Sequence, residues 1–159
     1  MAVDERKIFW HPNRAAERKE LARYVLENLE EIKQIVKAAE PVLETLPSWR
    51  DPSFDGYTRG EKDRVTAQVR ALYEFLQKGK PKAGKYLTYR VEPPDAPPGK
   101  QRIRLAREIL HYGHSECLGW VLLAAACLLQ VPLNALIVVT RNKKTGEKHA
   151  MLGYWRIDK

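Results

Sequence analysis

Apolar positions recur along this chain with more than one period, and each period predicts a different element. Leu21, Val25, Leu29, Ile32, Val36 and Ala39 are spaced by threes and fours, which places them on one side of a helix. Asn13 is positioned to cap that helix, predicted over 14–39, and Pro41 permits only a short continuation through Glu44. Pro47, Pro52, Gly56 and Gly60 mark 46–60 as a loop. Val65, Val69, Leu72, Tyr73, Phe75 and Leu76 predict a second helix from Glu61 to Gln77, ended by Gly79 and Pro81. Residues 86–91 read as a short extended segment. Residues 93–99, with four prolines, read as a stiff turn.

A short helix is predicted over Arg104 to Tyr112, broken by Gly113. The segment from Leu118 to Leu129 is apolar on nearly every side, which predicts a central buried helix starting near Ser115 or Glu116 and stopped by Pro132. Leu133 to Thr140 is rich in β-branched residues and is expected to be a buried strand. Residues 142–147 read as a hairpin loop, and His149 to Ile157 as the returning strand. The expected architecture is α+β: a buried helix packed on a small antiparallel sheet. A helical extension over 1–58 precedes the main domain, 59–159.

Composition narrows the function classes. The chain has 159 residues, 44% hydrophobic and 30% charged, enough for a packed core without disulfides or metals. Two cysteines make no disulfide framework, so a reducing, cytoplasmic setting is expected. No apolar leader follows Met1, and the longest apolar run is too short to span a bilayer, so no membrane association is expected. The net charge of +8 lies mostly in 81–159, with 13 basic and 6 acidic residues, against 15 and 14 in 1–80. No basic-aromatic motif accompanies it, so it reads as surface character and nucleic acid is not an expected partner. The stripe over 14–39 offers a face to a partner helix, although packing on its own domain is the favoured use.

Candidate chemistry centres on Cys117. A thiol in the first turn of a helix meets unpaired N–H groups and a dipole that favour the thiolate. A histidine within reach can take the proton and later protonate a leaving group, and His149 opens the last strand. Against this, a lone cysteine at a helix start is ordinarily a small core residue; Cys127, further along, is expected to be packing. His111, His114 and Cys117, with His149, also suggest a zinc-stabilised domain. Gly113 interrupts that run, however, and no CxxC or HExxH accompanies it. No metal or other cofactor is expected at the site.

Four short segments carry a resemblance when taken in order: Lys100-Gln101-Arg102-Ile103-Arg104, Glu108-Ile109-Leu110, Ser115-Glu116-Cys117 and His149-Ala150-Met151-Leu152-Gly153-Tyr154-Trp155. Over about residues 60–158 the chain resembles the transglutaminase-like superfamily, which has a papain-like fold. The local match is closest to transglutaminase-like cysteine peptidase domains of large bacterial proteins, often beside helicase modules. The resemblance implies Cys117 as nucleophile, His149 as base, and Gln101 as a side-chain donor to the oxyanion. It implies hydrolysis of a peptide or isopeptide amide rather than transamidation, on a protein or peptide substrate, in a chain that belongs to a larger protein or complex. The alternative is an inactive protein-interaction module of the same fold. Two positions depart from the pattern: Ser115 stands where glycine is usual and Gly119 where aspartate is common. The third catalytic member is expected downstream of the histidine, where Asp158 is the one carboxylate. A continuous strand would carry Asp158 about 30 Å from His149 and onto the opposite face. A two-residue turn at Gly153-Tyr154 would instead pair them across a hairpin.

Overall fold

The apolar segment that follows Cys117 becomes the helix around which the other elements are arranged. The computed structural model describes residues 8–10, 19–25, 29–46, 53–78, 87–91 and 96–157. In chain order these form β1 (Ile8–Trp10), a 3-10 turn (Glu20–Tyr24), α1 (Glu30–Glu44), α2 (Lys62–Lys78), β2 (Thr88–Tyr89), β3 (Gln101–Ile103), α3 (Ala106–Tyr112), β4 (His114–Ser115), α4 (Cys117–Gln130), β5 (Ala135–Arg141) and β6 (Lys148–Tyr154). The class is α+β, with three two-stranded sheets among the described residues: β1 with β3, β2 with β4, and β5 with β6.

Helix α4 buries Leu118, Gly119, Val121, Leu122, Leu123, Ala125, Ala126, Cys127 and Leu128. This all-round burial is what its uninterrupted apolar sequence requires. Helices α1 and α2 and the β5–β6 hairpin all pack on it. Trp10, Leu21, Val25, Ile32, Ile35 and Ala39 belong to the same core cluster as Leu118, Leu122 and Leu123. The stripe predicted over 14–39 is therefore spent on this core, and Leu21, Val25, Ile32 and Ala39 are not available to a partner helix.

The long first helix is corrected. Residues 20–24 form a 3-10 turn, Val25 is extended, and α-helix begins at Glu30; Asn13 and residues 14–18 lie outside the described residues. Beyond Pro41 the helix makes the short continuation expected of it, ending at Glu44 and burying Leu43 along with Ile32, Ile35 and Ala39. The other helices keep their expected places within two residues, and Gly113 ends α3 in the left-handed conformation (φ 75°).

The hairpin pairs Ala135 with Tyr154 and runs in register to Arg141 with Lys148. Its alternation defines two faces. Ala135, Ile137, Val139, Ala150, Leu152 and Tyr154 pack against the core. Leu136, Val138, Thr140, His149 and Met151 take the other face, where Leu136 and Met151 are exposed. The strand predicted as buried is thus covered on one face only. No described helix is long and apolar enough to cross a membrane.

One buried amide ties the loop before α2 to that helix. Gln68 is fully buried; its Oε1 accepts from the backbone N–H groups of Asp55 (2.9 Å) and Gly56 (2.8 Å), and its Nε2 donates to the Gly56 carbonyl at 2.9 Å. Tyr57, in the same loop, reaches the open end of the hairpin. Its hydroxyl donates to the Trp155 carbonyl at 2.8 Å and accepts from the Asn134 N–H at 3.1 Å.

Candidate active site

Cys117 is the first residue of α4 and is partly exposed. Glu116 occupies the N-cap with extended backbone (ψ 179°), but its side chain does not cap the helix. Its carboxylate instead accepts a hydrogen bond from Gln101 Nε2 at 2.7 Å. The first-turn N–H groups of α4, that of Cys117 among them, have no intrahelical acceptor and receive no side-chain cap.

Three elements meet Cys117 in one narrow crevice. The β1–β3 ribbon contributes Trp10 and Gln101, which pair directly across it. The hairpin contributes Val139, Lys148, His149 and Ala150, and α4 contributes Cys117 and Leu118. The walls leave no room for a water molecule. Strand β3 is held in place by buried ion pairs: Arg102 (2.5 Å) and Arg104 (3.3 Å) both reach Glu108 on α3. On the open side, β2 runs parallel to β4 and sets Tyr89 opposite Ser115. The Tyr89 phenol is pushed above its ordinary value, first by partial burial and then by the negative charges of Cys117, Glu116 and Glu147.

The expected residues are distributed as follows. Cys117, His149 and Gln101 line the same crevice. The Gln101 amide nitrogen carries two hydrogens, and Glu116 takes one. The His149 side chain is exposed and belongs to the outer face with Thr140 and Met151. No hydrogen bond joins it to Cys117 among the described residues. The inward neighbour is Lys148, whose ammonium is shifted below its ordinary value by burial and then by the charge of Arg141. Sequence reading missed Lys148 and Tyr89. Strand alternation next to His149 is the signal that points to Lys148, but it acts only once the facing side of the strand is known.

The Gly153-Tyr154 turn is overturned. Both residues lie in β6, paired with Leu136 and Ala135. Trp155 continues alongside, its N–H donating to the Asn134 carbonyl at 3.2 Å. By that point the chain has run roughly 20 Å from His149; Asp158 itself lies outside the described residues. The zinc arrangement also fails, because His111, His114, Cys117 and His149 do not gather into a set of three or more donors. His111 and His114 stack around Tyr112 instead and do not line the crevice. Cys127 is fully buried, and burial pushes its thiol up to about 12.

No family model and no curated protein matches the sequence, and no solved structure matches the fold.

Proposed function

We propose that this chain carries out thiol-dependent acyl chemistry, hydrolysing a peptide or isopeptide amide, on a papain-like core of transglutaminase-like type. The observation that carries the reading is the meeting of Cys117, Gln101 and the Lys148–His149 end of β6 in one crevice at an uncapped helix start. The Cys117 thiolate attacks the amide carbonyl carbon, and the carbonyl electron pair moves onto oxygen. The Cys117 N–H and the free hydrogen of the Gln101 amide donate to that oxyanion. The C–N bond breaks as the amine takes a proton from the acid, leaving a thioester on Cys117. The crevice is too tight for water as it stands and has to widen to admit the amide and then the water; that water, deprotonated by the same group, adds to the thioester and releases the carboxylic acid and the thiol.

His149 is assigned as that acid and base. Among the described residues no side-chain hydrogen bond holds its ring, and it lines the same crevice as Cys117. A specific observation favours a second assignment: Lys148, not His149, points toward the helix, and a lysine shifted down by burial can serve as a base. The reading is tested by incubating the protein with a peptidyl electrophile such as a vinyl sulfone and mapping the adduct by mass spectrometry. Adduct on Cys117, lost in Cys117→Ala, is expected. Absence of any adduct over hours at neutral pH sinks the catalytic reading and leaves the inactive interaction module.

A further inference from the structure

Beside the crevice lies a larger groove of about 920 Å³, within the usual range for ligand sites. Its floor is α4, through Trp120, Val121, Ala124 and Leu128, and its far wall is α2, through Val69, Leu72 and Tyr73. The near wall is β6. Ala150, Met151 and Leu152 all line it, although successive strand residues point to opposite faces. Three consecutive residues can line one wall only if the backbone edge of the strand forms that wall. Among the described residues that edge is unpaired, because β6 has β5 as its single partner.

The groove and the thiol crevice adjoin each other. Ala150 lines both, and Tyr89, whose phenol is within electrostatic reach of Cys117, lines the groove. The charged side chains among the described lining residues are Arg70 and Lys78; Arg70 Nε donates to Glu74, one turn further on, at 2.7 Å, which leaves Lys78 as the rim cation without a direct ion pair among the described residues.

We propose that this groove holds the substrate of the thiol site as an extended peptide segment. The peptide backbone pairs with the free edge of β6, its apolar side chains face Val69, Trp120 and Val121, and an acidic side chain faces Lys78. Two features of the groove select a peptide over a lipid or a small apolar molecule. A strand edge offers alternating N–H and C=O groups that only another backbone matches along its length, and Lys78 at the rim complements an acidic residue. The inference deepens the thiol-hydrolase reading and rests on it for the fate of the bound peptide, but binding is measurable without turnover.

The test uses the full chain carrying Cys117→Ala and fluorescein-labelled eight-residue peptides, read by fluorescence anisotropy. A peptide alternating leucine and glutamate is expected to bind at least tenfold tighter than one alternating leucine and lysine, or serine and glutamate. N-methylation of alternate amides is expected to weaken binding about tenfold in one register and not in the other. Val69→Glu is expected to abolish binding. Because that variant changes a half-covered position, the exposed pair Arg70→Glu and Lys78→Glu provides a second arm and is expected to reverse the preference toward the lysine peptide. Equal affinities for the three peptides, or no effect of N-methylation in either register, overturns the proposal. Peptide binding by a wild-type protein with no thiol reactivity defeats the hydrolase reading alone. Amide hydrolysis by wild-type protein that is indifferent to the Arg70 and Lys78 reversals defeats the groove alone.

Discussion

The Ser115 side chain occupies the space that any side chain at position 119 would need: a Cβ on Gly119 would fall well inside contact distance of the Ser115 hydroxyl. These are the two positions where the chain departs from the pattern it resembles, and the two departures share one volume. Gly119→Ala is expected to destabilise the fold by about 1–3 kcal/mol through overpacking. Combining it with Ser115→Gly should restore at least about 1 kcal/mol, a coupling that urea unfolding of the four proteins of the cycle measures. The Ser115 hydroxyl is buried without a hydrogen-bond partner, so Ser115→Ala alone should be neutral or stabilising. Additive single and double variants would show that the two residues do not share the space.

The two thiols should behave oppositely. Cys117 is partly exposed, whereas Cys127 is fully buried and raised from 9.0 to about 12. Iodoacetamide at pH 7.5 should label Cys117 at least tenfold faster, and Cys127 only after denaturation, as peptide mass spectrometry would show. Because the neutral thiol of Cys127 is the form the fold favours, its contribution to stability is complete below about pH 9 and is lost as pH rises toward 12. Comparable labelling of both thiols in folded protein would contradict the buried placement.

The proton acceptor is separable by charge-preserving substitution. If His149 serves, His149→Ala lowers kcat by about 10²- to 10⁴-fold. Lys148→Arg then leaves most of the activity. If Lys148 serves, the activity rises at a pH below the ordinary lysine value of 10.5, and Lys148→Arg abolishes it because a guanidinium does not release its proton. The expected outcome is the first; a silent His149→Ala reverses the assignment.

Removing the Gln68 amide should cost more than any surface change. Gln68→Ala strands the N–H groups of Asp55 and Gly56 and the Gly56 carbonyl, all bonded to that one side chain. A loss of about 2–4 kcal/mol follows from several unmet buried groups and the cavity left behind. Thermal unfolding followed by circular dichroism reads it; a shift of less than a degree would mean that the loop is held by other contacts.

The elements that were legible in the sequence are those whose stability is local or all-round. Helix α4 announced itself because no face of it is polar, and α2 and the hairpin because period and turn residues agree. The stretch around Leu21 and Val25 misled, since helical spacing also arises when a 3-10 turn and an extended residue both point inward. Strands β1 and β3 left no trace: three residues carry no period, and Trp10 finds Gln101 only through tertiary pairing. Cys117 was legible as the start of a buried helix, whereas Gln101 was named through the resemblance alone. The facing side of His149 was not, because a strand of alternating pattern can seat either face on a helix, and a shift of one residue exchanges Lys148 for His149.

Tyr57 gives the hairpin an anchor. Its hydroxyl fastens the chain at Asn134 and Trp155, while the opposite end, the exposed turn after Arg141, carries Lys148 and His149. The register that decides which of Lys148 and His149 turns toward the crevice is thus fastened at the far end of the hairpin, by a phenol on a loop that takes no part in the crevice itself.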